Sequence, residues 1–121
     1  MSLDVYLYGE PEYKACPECG HIRSIQEYLF SANITHNLAG MAGAAGIYAC
    51  LWHPEEIAFK KALQLIEPLE KGLVKLKSER KKFEFYNSPN GWGTYEHFVP
   101  WVEEYLNACK QYPDAEIKVS R

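Results

Sequence analysis

Apolar and polar residues alternate at both ends of this chain. In residues 3–8 every odd position is apolar, and every even position is aspartate or tyrosine. The segment Glu116–Ser120 alternates in the same way, with Ile117 and Val119 as its apolar residues. A period of two is typical of half-buried strands. We therefore expect a strand at each end of the chain, and we expect the two strands to share one sheet.

Between residues 12 and 26 the pattern predicts a hairpin. Two short stretches, 13–16 and 21–25, have the character of strands and flank the turn at 17–20. Proline and glycine within this turn favour a tight reversal of the chain. We expect the hairpin to belong to the same sheet as the terminal strands.

Three later segments carry apolar residues at helical spacing. The first spans 35–46. The second begins at Pro54 and continues to residue 77, with a kink expected at Pro68. The third can be capped by Thr94. Its apolar face comprises Phe98, Val102, Tyr105, Leu106 and Cys109.

Together these elements predict the order β-β-β-α-α-α-β and a single α+β domain over residues 1–121. In this domain a small sheet includes both terminal strands and the hairpin. The sheet packs against about three helices, which is our fold prediction.

Composition and charge exclude several classes of protein. The chain has 121 residues, which suits one domain. Its 13 basic and 16 acidic side chains give a net charge of −3, which argues against a nucleic-acid partner. We find no apolar run long enough for a membrane span and no secretory signal at the N-terminus. We therefore expect no membrane association and a cytoplasmic location, where thiols stay reduced.

The four cysteines suggest metal ligands. Cys16 and Cys19 are separated by two residues on the hairpin turn, a knuckle that presents both sulfurs to one tetrahedral ion. Cys50 and His53 repeat that spacing. We predict a structural zinc ion held by these four residues, with His21 as a competing ligand.

Other roles for these residues stay open. Cys16 and Cys19 are also compatible with a redox pair, although the usual context of such a pair is a strand leading into a helix. Cys50 lies among apolar residues and is compatible with a buried thiol, and His53 with a residue facing solvent.

Two segments, 33–37 and 90–97, combine hydrogen-bonding side chains with the start of a predicted helix. If both face one cleft, they form a pocket able to stack a ring and bind an anionic group. The candidate ligand-binding residues are Asn33, Thr35, His36, Asn37, Trp92 and Tyr95. The alternative is ordinary helix capping, with Trp92 filling the core.

Longer motifs carry a resemblance to a known family. They are FSANITHNL at 30–38, GIY at 46–48, LW at 51–52 with PEE at 54–56, NGWGTYE at 90–96, YPDA at 112–115 and VSR at 119–121. Over nearly its whole length the chain resembles a family of small uncharacterised proteins encoded by bacteriophages and prophages.

The resemblance implies that 33–37 and 91–96 belong to a shared core or site and that the knuckle is an optional stabiliser. Many members of the family have Arg in place of His53 and no cysteine in place of Cys50. The resemblance therefore favours His21 as a metal ligand.

From these observations we expect a non-enzymatic accessory binding protein in the cytoplasm of a bacterial host. Its zinc ion would be structural, and its partner would be a host protein or a small ligand. One alternative is sequestration of a small nucleotide-like anion. A second is a small hydrolase with His36 or His97 as its base and Glu96 nearby. Assembly into a homo-oligomer stays open.

Overall fold

The computed structural model describes residues 2–9, 12–15, 17–20, 22–25 and 28–121, with the backbone alone at 12–14 and 22–25. The strands in these ranges are β1 (Ser2–Tyr8), β2 (Glu12–Ala15), β3 (Ile22–Ile25), β4 (Tyr28–Thr35) and β5 (Glu116–Ser120). The α-helices are α1 (Ala39–Ala44), α2 (Tyr48–Trp52), α3 (Leu63–Ser78), α4 (Arg80–Glu84) and α5 (Tyr95–Gln111). Two 3-10 turns cover His36–Leu38 and Pro54–Ile57.

The main sheet is antiparallel, with the strand order β4-β1-β5. Leu3 of β1 pairs with Ile34 of β4, and Val5 pairs with Val119 of β5. The two terminal strands therefore share one sheet, as expected. Together with the helices, this sheet confirms the α+β class.

The hairpin differs from its prediction. β2 pairs with β3 in antiparallel register, with Glu12 opposite Ile25, but the two strands form a separate sheet. The neighbour of β1 is β4 instead, a strand that the sequence analysis did not predict. Cys16, one of the two cysteines of the predicted knuckle, and the competing ligand His21 lie outside the described residues.

One face of the main sheet carries the core. The odd-numbered residues of β1 are completely buried, as period-two alternation requires. Helices α3 and α5 pack together, and the Tyr105 ring of α5 stacks on Phe30 of β4 with the ring centroids 5.9 Å apart. The predicted apolar face of α5 is buried along its length. Among the helices described here, none combines the length and apolar character that a bilayer crossing demands.

The first predicted helix, at 35–46, is shorter than expected. The chain forms the 3-10 turn His36–Leu38 and then α1, which ends before Gly46. The side chain of Thr35 caps the turn by accepting a hydrogen bond from the amide of Asn37.

The second predicted helix, at 54–77, is interrupted near Ala58 and not at Pro68, where the kink was expected. A 3-10 turn begins at Pro54 and ends where Ala58 adopts a left-handed conformation with φ of 58°. α3 then continues through Pro68 without a break. Proline removes one helical hydrogen bond, but Leu65 and Leu69 on either side are fully buried, and their packing offsets that loss.

Candidate functional site

An open cleft of about 770 Å³ lies where the outer face of the main sheet meets the loop before α5. Its lining residues are Ser2, Asn33, Thr35, His36, Asn37, Asn90 and Trp92. The structure thus brings the polar segments 33–37 and 90–97 to one place. Five of the six predicted ligand-binding residues line this cleft, and their binding role stays a prediction.

The floor of the cleft comes from β1 and β4. Antiparallel register places Ser2 opposite Thr35 and Asp4 opposite Asn33. The Asn33 amide Nδ2 donates to Ser2 Oγ at 2.9 Å and to Asp4 Oδ1 at 2.6 Å. These bonds orient the carboxamide of Asn33 and leave its oxygen as an acceptor.

The loop before α5 is tied to the end of β4. Asn37 Nδ2 donates to the backbone oxygen of Trp92 at 2.8 Å, and the backbone amide of Trp92 donates to Asn90 Oδ1 at 3.0 Å. Asn90 Oδ1 also accepts from Ser88 Oγ at 2.6 Å. The backbone around Trp92 is therefore held from both sides.

Gly93 allows this close approach. Its φ of 110° is a conformation that other residues rarely adopt. A Cβ atom there would lie 3.1 Å from Asn37 Cβ and 3.1 Å from Thr35 Cγ2. The glycine therefore gives the loop both its bend and its contact with β4.

His36 is oriented by a buried tryptophan. Trp52 Nε1–H donates to His36 Nδ1 at 2.8 Å, so the neutral ring carries its proton on Nε2. The Trp52 ring stacks on Tyr48 with centroids 5.4 Å apart, and its backbone oxygen accepts from Arg121 Nη1 at 2.8 Å. Sequence reasoning did not find this positioning role, because no local signal links position 52 to position 36.

Trp92 and Tyr95 differ in their exposure to solvent. Trp92 is 69% exposed, so the alternative in which it fills the core is wrong. Tyr95 is only 6% exposed, and its hydroxyl donates to the backbone oxygen of Leu76 at 2.8 Å. Its expected place in the ligand site is therefore corrected, because Tyr95 belongs to the packing between α3 and α5.

The cleft presents uncharged groups. Its described lining contains neither lysine nor arginine. One amide at the start of each segment is already used, since Asn37 N donates to Thr35 Oγ1 at 3.3 Å and Tyr95 N donates to Asn87 Oδ1 at 2.7 Å.

The zinc prediction is wrong for the residues that the structure describes. Among them no group of three or more His, Cys, Asp or Glu side chains could hold a metal ion. Cys19 is exposed, whereas Cys50 is buried. His53 instead contacts Tyr48 Oη through Nε2 at 3.2 Å. Cys16 and the competing ligand His21 lie outside the described residues.

The thiols of Cys50 and Cys109 are buried, and burial raises the pKa of both. Desolvation raises the pKa of Cys50, and it raises the pKa of Cys109 to about 12. Both residues belong to the hydrophobic core. The environment of Cys50 is therefore that of a buried thiol, which is the alternative interpretation from the sequence.

The groups expected for hydrolysis are each engaged with another partner. His97 Nδ1 lies 3.0 Å from Thr94 Oγ1 at the start of α5. The nearby Glu96 pairs with Arg80 at 3.3 Å. In the neutral His36 ring Nδ1 accepts from Trp52 and Nε2 carries the proton, so neither nitrogen is free to act as a general base.

Comparison with protein-family models, curated proteins and solved structures finds no match to this chain. The resemblance to bacteriophage and prophage proteins accordingly stays a prediction.

Proposed function

We propose that this chain is a binding protein whose cleft takes one uncharged, ring-shaped ligand stacked on Trp92. The observation that carries this proposal is the indole itself, which is 69% exposed on a backbone held by Asn37 and Asn90. An exposed aromatic ring on a fixed backbone offers a large contact area at a low cost in conformational entropy.

The polar groups around the indole support a ligand with a hydrogen-bonding edge. After their internal bonds are made, Asn33 and Asn37 keep a carboxamide oxygen as acceptor. Asn90 keeps an amide group as donor, and His36 keeps Nε2–H. Nucleosides and neutral monosaccharides share the matching chemistry, which is a ring with donors and acceptors at its edge.

The charges near the cleft support an uncharged ligand. The acidic side chain beside its floor is Asp4, and the described lining brings no lysine or arginine to balance an added phosphate. An anion in this position would lose hydration without gaining a partner of opposite charge. Our proposal therefore replaces the anionic ligand of the sequence analysis with a neutral one.

Calorimetric titration and thermal-shift measurements with nucleosides and neutral monosaccharides test the proposal. We expect at least one of the two ligand types to raise the melting temperature, because a ligand that binds only the folded chain stabilises it. Trp92→Ala should abolish this stabilisation. Phe85→Ala is the matched control, since Phe85 is an aromatic residue, 88% exposed, that does not line the cleft.

The proposal would be refuted if neither ligand type stabilised the wild-type chain. It would also be refuted if Trp92→Ala and Phe85→Ala weakened binding to the same extent. Nucleosides and monosaccharides are titrated separately, so the experiment also identifies which of the two ligand types binds.

A further inference from the structure

The cleft continues into an aromatic surface on the same face of the main sheet. Asn33 in the cleft pairs with Asp4, and the next residue of β1 on that face is Tyr6, which pairs with Ser31. Directly opposed residues of an antiparallel pair project from the same face. The cleft floor and Tyr6 are therefore neighbours along one surface.

Three tyrosines group together at the far end of this surface. The ring centroids of Tyr6 and Tyr8 are 6.0 Å apart, those of Tyr6 and Tyr28 are 6.0 Å apart, and those of Tyr8 and Tyr28 are 5.7 Å apart. Lys118 Nζ lies 4.8 Å from the centroid of the Tyr8 ring. We call Tyr6, Tyr8 and Tyr28 the tyrosine cluster.

The surface from the cleft to the tyrosine cluster is open. All outward-facing residues of β1, β4 and β5 within the described ranges keep partial or full exposure to solvent. The opposite face of β1 is completely buried. From Ser2 to Tyr8 the strand spans about 20 Å. This length exceeds that of a single ring and suits a short chain of rings.

We propose that this surface binds a linear, neutral oligosaccharide, with one sugar ring stacked on Trp92 in the cleft and later rings packed on the tyrosine cluster. The inference rests on the proposed function and extends it by naming the ligand class. Sugar rings have C–H faces that pack on aromatic side chains and hydroxyl groups that both donate and accept hydrogen bonds.

The polar residues of the surface favour a sugar chain. Between the two aromatic regions lie the Asn33 carboxamide, the Asp4 carboxylate and the Ser31 hydroxyl, all suited to sugar hydroxyls.

The charges argue against a single-stranded nucleic acid, which needs cations along its phosphates. On this face the described cation is Lys118, and its ammonium group already lies over Tyr8. An extended peptide would pair with the edge of β4 through its backbone instead of lying across the face.

Titrations of the full chain with chito-, cello- and malto-oligosaccharides, from monosaccharide to hexasaccharide, test this inference. In at least one series we expect Kd to fall by about tenfold or more with increasing length, equivalent to ~1.4 kcal/mol. Tyr28→Ala should bring the ratio of the longest to the shortest ligand's affinity close to one. Tyr86→Ala is the matched control and should keep the wild-type ratio, because Tyr86 is a partly exposed tyrosine that belongs neither to the cleft lining nor to the tyrosine cluster.

The possible outcomes separate the oligosaccharide inference from the proposed function. If single-ring ligands bind at Trp92 but none of the three series gains affinity with length, the oligosaccharide inference is wrong and the proposed function stands. An unchanged length dependence in Tyr28→Ala would also overturn the inference. Tight, salt-sensitive binding of oligothymidine would replace it with a nucleic-acid site. If no single-ring ligand and no oligosaccharide binds, both proposals fall.

Discussion

The indole Nε1–H of Trp52 donates a hydrogen bond to Nδ1 of His36 at 2.8 Å. This bond joins a buried residue of α2 to the rim of the cleft. Because the acceptor is Nδ1, the proton of the neutral imidazole is on Nε2 and is available to a ligand. A hydrogen bond from the core therefore sets the tautomer of His36, which is a residue of the cleft lining.

Replacing His36 should destabilise the chain more than replacing another histidine. His36→Ala leaves the buried Trp52 donor without its partner, so we expect a loss of about 1–3 kcal/mol in the free energy of unfolding. His97→Ala is the control, because His97 is exposed and its ring contacts Thr94 locally; we expect a change within about 0.5 kcal/mol. Urea denaturation measures both. Equal effects would contradict the positioning role of Trp52.

Gly93 and Gly43 should respond to alanine with opposite signs. At Gly93 the φ of 110° and the close contacts with Asn37 and Thr35 predict that alanine lowers stability by about 1–3 kcal/mol. At Gly43, within α1, a Cβ atom meets nothing within 4 Å, so alanine should raise stability by about 0.5–1 kcal/mol. Thermal denaturation distinguishes them. A neutral or stabilising Gly93→Ala would show that the loop does not need this contact.

Stability should fall in alkaline solution because of buried groups on α5. Burial raises the pKa of Cys109 from 9.0 to about 12, and it raises the pKa of Tyr105 well above 10.0. Above pH 9 the unfolded chain loses protons that the folded chain retains, so their contribution is complete below pH 9 and is lost as the pH rises towards 12.

The free energy of unfolding, measured by urea denaturation from pH 8 upward, checks this prediction. Cys109→Ala should flatten the decline, although its cavity lowers stability at every pH. Cys19→Ala is the control, because Cys19 is exposed, and it should keep the wild-type slope. A slope that is identical in Cys109→Ala would contradict the assignment.

The elements with the clearest periodicity were the ones that the sequence predicted. β1 and α5 each bury one face, and β5 buries Ile117 and partly buries Val119. Such a one-sided environment produces an alternating or helical pattern. β4 has a weaker pattern, since Ile34 is its one fully buried residue among neighbours of mixed exposure. Its polar end was therefore interpreted as a helix cap.

The cleft was predictable in part. Amide and hydroxyl side chains next to predicted helix starts indicated both segments that line it. Ser2 was missed because its place depends on the register of β1 against β4, which local sequence does not encode. Tyr95 was misplaced because a tyrosine in a polar motif does not reveal that its hydroxyl bonds to Leu76 in the core.

The zinc site shows the limit of spacing as evidence. Cys50 and His53 match the interval of a ligand pair, but Cys50 on α2 enters the core, while His53, just after the end of α2, contacts Tyr48. The apolar neighbours of Cys50 in the sequence already favoured burial. Spacing alone does not decide which face of a short helix a side chain occupies.

Ligand binding at Trp92 is tested most directly by an NMR titration that follows the indole N–H of Trp92 and the side-chain amides of Asn37 and Asn90. With a nucleoside or a neutral monosaccharide, we predict that these three signals shift together and report one Kd, while the indole signal of the buried Trp52 moves less. Binding that shifts signals elsewhere and leaves those of Trp92, Asn37 and Asn90 unchanged would contradict a ligand site in this cleft, as would the absence of any shift with both ligand types.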